Sequence, residues 1–275
     1  MSFAKQISEA GFDKEPSVLK LVLAICHDNN YKIRMDGVLF LKDYLNEPLP
    51  EVLLHPRFKS VYVCELLELL QDEEAYIRIE ALEIVTKYLD HLEREDIEGE
   101  YVNEVLRTLN ADVEEIQTRI AEAIGPIIHK LSIFNLHIKY REEFLQFYKV
   151  IVNHNEVKMR RYAAYNLPCF NKLLKEYQDE VDIDFNEVYL RFSKEEDPEI
   201  LKTVAASLHE AFSIMPDDED SQKLRDAFKQ VIEVSNRETI CALCENLDTS
   251  LQYYCNSHAT KTYAPLLGGP KEEAP

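Results

Sequence analysis

One pattern recurs along the chain at a nearly constant interval, and it limits the fold more than any other feature. The stretches DNNYKIRMDGVLFLKDYL from Asp28, DEEAYIRIEALEIVTKYL from Asp72 and EDPEILKTVAASLHEAF from Glu196 share it. In each, an acidic residue is followed five positions on by an apolar anchor (Ile33, Ile77, Leu201). A basic residue comes next, and three positions later a small one (Gly37, Ala81, Ala205). Apolar residues at helical spacing then continue the stretch. Weaker copies have anchors Ile116 (DVEEIQTRIAEAIGPII) and Met159 (NEVKMRRYAAYNLPCF), and a degenerate sixth has Ile240 (NRETICALCENL). Successive anchors are 44, 39, 43, 42 and 39 residues apart. A second amphipathic stretch precedes each copy, such as KSVYVCELLELL (59–70) or REEFLQFYKVIV (141–152).

Two helices in a period of about 40–47 residues are the signature of HEAT repeats. One such unit cannot cover its own apolar face, so neighbours stack and bury a continuous core. The sequence therefore predicts an all-α, α-α superhelix of the HEAT/armadillo-like kind, with about six helix pairs. It would occupy residues 1–260, with helices from near Pro16 to near Tyr254 and a flexible tail over 261–275 (KTYAPLLGGPKEEAP). The acidic or Asn residue at each turn is suited to cap the free N–H groups of the second helix. The small residue lets the paired helices approach closely. Armadillo repeats have a similar period but three helices, the first usually set off by glycine, and six glycines in 275 residues leave few for that role. A 34-residue tetratricopeptide period does not keep this register.

Charge narrows the partner class. Fifty-one acidic and 31 basic residues give a formal charge of −20. Such a surface repels phosphate backbones and anionic lipid, so neither nucleic acid nor membrane is an expected partner, whereas a basic protein surface would be attracted. The densest apolar run, VLKLVLAIC (18–26), contains Lys20 and falls short of the roughly 20 residues a spanning helix needs. MSFAKQISEAGFDKEP has no basic start, apolar run or small-residue cleavage site, so no signal peptide is expected. Six cysteines scattered among helical segments fit buried thiols in a reducing compartment. The expected location is the cytoplasm, with the nucleus or cytoskeleton as further options.

Two copies carry a helix-bending element at nearly the same place: Pro168 lies nine residues past Met159, and Gly125-Pro126 nine and ten past Ile116. An interior proline costs about 3 kcal/mol. Its repetition at one register position reads as shaping of a curved stack rather than as a binding feature. The same region carries a resemblance. RRYAAYNLPCF after FLQFYKVIV resembles the serine/threonine-protein phosphatase 4 regulatory subunit 4 family and, more distantly, the phosphatase 2A scaffold. Arg160, Ala164, Asn166 and Pro168 fit the family's Arg-x-x-x-Ala-x-Asn-x-Pro stretch. Phe144, Leu145, Phe147, Tyr148 and Lys149 fit the helix before it. ELLQDEEAYIRIEALEIVTKYLD is similar to an earlier repeat of the same family, and the match spans roughly residues 60 to 215. The resemblance implies a non-catalytic scaffold or regulatory subunit whose partner is a serine/threonine phosphatase catalytic subunit. The alternative is a general HEAT adaptor or structural component of a larger assembly that binds basic partners.

Nothing in the chain points to an enzyme. It has no phosphate-cradling Gly-rich loop, HExxH or nucleophile elbow. His209 in SLHEAF reads as a packing or surface residue. The acidic turn DDED (217–220) lacks the glycine and terminal Glu of a calcium loop. Cys241, Cys244, Cys255 and His258 have the spacing of a zinc site, yet CALCENLDTSLQYY reads as continuous helix. Ile240, Cys241, Cys244, Leu247 and Leu251 would share one face of it, so buried packing thiols are expected and no cofactor or metal.

The candidate partner surface is the row of turns inside the helix pairs. Stacking places equivalent turns side by side at about 10 Å, so several can touch one globular partner. The predicted ridge comprises Asp28, Asn29, Tyr31, Asp72, Glu73, Glu74, Tyr76, Asn155, Glu156, Glu196, Asp197 and Glu199.

Overall fold

The computed structural model describes residues 16–44, 56–111, 113–214, 221–233 and 237–247. Among these there is no strand. Twelve helices run in sequence: α1 (Pro16–Cys26), α2 (Tyr31–Tyr44), α3 (Pro56–Leu69), α4 (Ala75–Tyr88), α5 (Val102–Leu109), α6 (Glu114–Ile133), α7 (Arg141–Val152), α8 (Val157–Leu174), α9 (Phe185–Phe192), α10 (Pro198–Ile214), α11 (Ser221–Glu233) and α12 (Arg237–Glu245). They pair as α1/α2, α3/α4 and so on to α11/α12. This is the all-α repeat solenoid that the period predicted, with two helices to a copy. Before α5 the chain makes a short helical turn, Arg94–Asp96, and a wide turn over Ile97–Tyr101, where the backbone leaves helical geometry at Gly99 (φ −90°, ψ −109°). No helix of the described residues is long and apolar enough to cross a membrane.

The chain forms two compact units, Met1–Tyr140 and Arg141–Pro275. In the first, α2, α4 and α6 pack in series and α1 touches α3 more lightly. In the second, α8, α10 and α12 pack in series, and α9 packs on α11. The first unit's core includes the fully covered rings of Tyr62, Tyr88 and Tyr101, with Tyr62 and Tyr88 edge to face at 5.3 Å. The second is centred on Tyr148, stacked on Phe170 at 4.0 Å.

The repeat pattern is read out almost position for position. Ile77, Ile116, Met159 and Leu201 are buried, as are the small residues Gly37, Ala81 and Ala205. A Cβ on Gly37 would stand 2.9 Å from Cys26 Sγ and 3.2 Å from the Cys26 nitrogen, so α1 and α2 meet where only hydrogen fits. Two anchors differ. Ile33 is 40% exposed and Ile240 38% exposed. In α12 the stripe facing the core is Thr239, Ala242 and Leu243, so the register of the sixth copy shifts back by one residue. That rotation turns Cys241 and Cys244 outward: they are exposed thiols, not the buried ones expected. Cys255, His258, Leu251, the DDED turn, the helix end near Tyr254 and the tail lie outside the described residues.

Neither proline ends its helix. α6 continues through Pro126 for 20 residues and α8 through Pro168 for 18. Pro168 cannot donate to the carbonyl four residues back. In the turn ahead of it, side chains supply donors: Asn166 Nδ2 to the Tyr162 carbonyl and Tyr148 Oη to the Ala163 carbonyl, each at 2.8 Å. The otherwise buried Asn166 is thus held beside the weak point of the helix.

Candidate functional site

The turns inside the pairs are built from short-range caps. Asn30 Oδ1 accepts from the Lys32 amide at 3.0 Å at the start of α2, and Asp197 Oδ1 from the Ile200 amide at 3.1 Å in the first turn of α10. Asp28 and Asp72 accept from the amides two residues on, at 2.7 and 2.8 Å. Asn30 and Asp197 thus offer an oxygen to an amide that the helix leaves unpaired, while Asp28 and Asp72 fix the residue just before each helix.

In two copies the basic residue after the anchor ties its turn to the next. Arg34 Nη1 donates to its own turn's carbonyls, Asp28 at 3.0 Å and Asn29 at 3.3 Å. Its Nε and Nη2 grip both Asp72 oxygens at 2.7 and 3.0 Å, and Nη2 reaches Glu73 at 3.0 Å. The second unit repeats the device. Arg160 donates to the carbonyls of His154 and Asn155, and to both Glu195 oxygens at 2.8 and 3.2 Å. Arg161 adds a forked pair with Asp197 at 3.0 and 2.7 Å. Arg78 and Gln117 close their own turns in the same way, onto the carbonyls of Asp72 and Glu73 and of Ala111. The sequence shows this recurring position but not its partners, which stand 35 to 39 residues away. Glu195 and Arg161 were absent from the predicted ridge for that reason.

These bonds divide the predicted ridge into braced and open positions. In the first unit Asp72 is clamped, with 9% side-chain exposure, and Glu73 is tethered at one oxygen while 77% exposed. Glu74 is half-buried and makes no side-chain cap, and Asp28 is half-buried in its own turn. Asn29, Tyr31 and Tyr76 are exposed, Tyr76 most of all at 72%. In the second unit Asp197 is taken by Arg161, whereas Asn155, Glu156, Glu196 and Glu199 are exposed. The guanidinium of Arg161, against partial burial, holds the Asp197 carboxyl below the usual carboxylate range.

Each unit has an open depression at the equivalent place, between consecutive turns. The first is about 310 Å³ and is floored by Arg34 and Asp72. The second is about 620 Å³, with Arg160 and Glu195 in its floor and Glu196 and Pro198 at its lining. Both are shallow and charged. Cys26 and His27 both line the first, but the Cys26 thiol is fully buried and burial pushes its pKa up to about 12, so it is no ready nucleophile. The charged side chains of the two depressions suit ion pairing and hydrogen bonding to another surface.

No family model matches the chain, and no curated protein matches it. Among solved structures it is similar to a designed armadillo repeat protein in complex with the peptide (KR)4. The TM-score is 0.62 at 13% identity, covering 84% of this chain and 99% of that one. Computationally designed armadillo repeat proteins for modular peptide recognition give a TM-score of 0.61 at 13% identity, with the same coverage. An engineered protein gives 0.63 at 14% identity, covering 87% of this chain and 99% of the other. At these identities the likeness establishes the repeat fold.

Proposed function

We propose that the chain is a non-catalytic scaffold that holds a protein partner against the turns of its helix pairs, and that this partner is a serine/threonine phosphatase catalytic subunit. The observation that carries the scaffold reading is the split along the ridge. Arg34, Arg160 and Arg161 fix the turns in place through Asp72, Glu195 and Asp197, while Glu73, Glu156, Glu196 and Glu199 keep charge directed to solvent. Within each unit, turns braced in this way lose little entropy on binding. Its open acids favour a basic partner surface and a salt-sensitive encounter. Tyr31 and Tyr76 add exposed rings of the kind that anchor interfaces.

The phosphatase assignment rests on the resemblance of residues 144–168, and its location would be the cytoplasm. A general adaptor for basic segments is favoured by one separate finding, that a solved protein of this fold carries a (KR)4 peptide. Affinity purification of the full chain with identification of bound proteins by mass spectrometry separates the two. Stoichiometric recovery of a phosphatase catalytic subunit is the expected result. Recovery of basic transport cargo or cytoskeletal proteins without a phosphatase would replace the assignment with the adaptor reading.

A further inference from the structure

One cluster of chemistry-bearing side chains lies off the ridge, on the first helices of repeats one and two. His27 follows the last residue of α1, and Glu65 and Glu68 lie one turn apart on α3. An imidazole nitrogen and one oxygen from each carboxylate all lie within 4.8 Å of one another. His27 Nε2 already contacts Glu65. Glu68 is exposed, and among the described residues nothing engages its carboxylate by a hydrogen bond or ion pair. Like charges one turn apart repel, and here no basic side chain bridges them. His27 and Glu68 also line the open 310 Å³ depression, so a small ion can reach them from solvent.

From this geometry we infer that His27, Glu65 and Glu68 form a divalent cation site, suited to Zn²⁺, that staples repeat one to repeat two. One nitrogen and two carboxylate oxygens match the borderline donor preference of zinc. Calcium and magnesium favour oxygen alone. Zinc bonds of about 2.0–2.2 Å place tetrahedral donors roughly 3.3 Å apart. The His27–Glu65 pair must therefore open to that spacing while Glu68 swings in to meet it, a movement its exposed side chain can make. His27 would ligate through Nε2 as the neutral imidazole with its proton on Nδ1, and the fourth position is left to water. The ion neutralises both glutamates and joins α1 to α3 where those helices touch only lightly.

The test titrates the chelator-stripped full chain with Zn²⁺ alone, in competition with a chromophoric chelator. His27→Ala, Glu68→Gln and Cys241→Ser/Cys244→Ser variants are compared, and the fold of each is checked by circular dichroism. The expected result is one equivalent bound, weakened at least about tenfold by His27→Ala and by Glu68→Gln, and unchanged in the double cysteine variant. Substituted Co²⁺ should show a spectrum without thiolate charge transfer. Hydrogen exchange should show Zn²⁺ slowing amides of α1 and α3 and not those of the second unit. Absence of binding, binding that survives His27→Ala, or binding lost with the cysteines and accompanied by thiolate charge transfer would each overturn the site.

Discussion

Helices α2 and α4 present the same buried face at a fixed offset of 44 residues. Gly37 corresponds to Ala81, Val38 to Leu82, Phe40 to Ile84, Leu41 to Val85 and Tyr44 to Tyr88. Two positions break the match: Arg34 is buried while Arg78 is half-buried, and Ile77 is fully covered while its equivalent Ile33 is 40% exposed. α4 lies between α2 and α6, whereas among the described residues α2 packs in that series only against α4. The same residue at the same register is thus core in one copy and surface in the other. Burial in a stacked array belongs to the pair of neighbours, not to the repeat itself.

The largest expected effect tests that contrast directly. Ile77→Ala should cost about 2–5 kcal/mol through lost contacts and the cavity left behind. Ile33→Ala should cost under about 1 kcal/mol, near the range of surface substitutions. Chemical denaturation of the two variants measures both. Equal losses would show that Ile33 is covered and that the contrast between the copies is unreal.

Next in size is the clamp between the turns. Arg34→Ala removes the forked pair with Asp72 and the bonds to two turn carbonyls. A loss of about 1–3 kcal/mol is expected, the upper end limited by screening near the surface. Arg34→Lys should recover only part of it, because an ammonium cannot grip both Asp72 oxygens in one plane. Full recovery by lysine would show that charge alone, without the fork, holds the turns together.

A smaller effect is expected at the close contact of α1 and α2. Alanine at Gly37 gains about 1 kcal/mol of helix propensity. It also forces a methyl group to within 2.9 Å of Cys26 Sγ and 3.2 Å of backbone, and such overpacking costs about 1–3 kcal/mol. The overpacking wins, so Gly37→Ala should lower the melting temperature even though Ala81 is native at the same register in α4. A higher melting temperature would mean that the two pairs are spaced alike.

The smallest effect is pH-linked. Asp197 has a folded pKa held down by Arg161, so its contribution to stability is present above its unfolded value. It is lost as pH falls through the lower folded value. Asp197→Asn should therefore flatten the acid limb of the stability curve slightly and leave neutral-pH helicity unchanged. An unaltered acid limb would show that the Arg161 pair does not contribute.

The period, the two-helix copy and the buried stripe were legible because each repeats locally, within one helix turn or one copy. The anchors Ile77, Ile116, Met159 and Leu201 follow from spacing alone. Ile33 does not, because its exposure depends on what packs beside it. The register of α12 was misread because Ile240 is more hydrophobic than Thr239, yet packing against α10 selects the stripe containing Thr239, Ala242 and Leu243. On the ridge, the sequence showed acids at every turn but not which were already engaged. Asp72 and Glu73 are equally acidic neighbours. One is fixed by an arginine 38 residues earlier and the other leaves most of its side chain in water.

That division gives the most direct test of the scaffold account. Two charge-reversed variants of the full chain should be compared for capture of the purified phosphatase catalytic subunit at low and moderate salt. One variant reverses the open acids Glu156, Glu196 and Glu199; the other reverses Asp72 alone. The account predicts that the triple variant keeps its melting temperature and loses most capture and most salt dependence. It predicts that Asp72→Lys lowers the melting temperature first. Undiminished capture by the triple variant at both salt concentrations would contradict it.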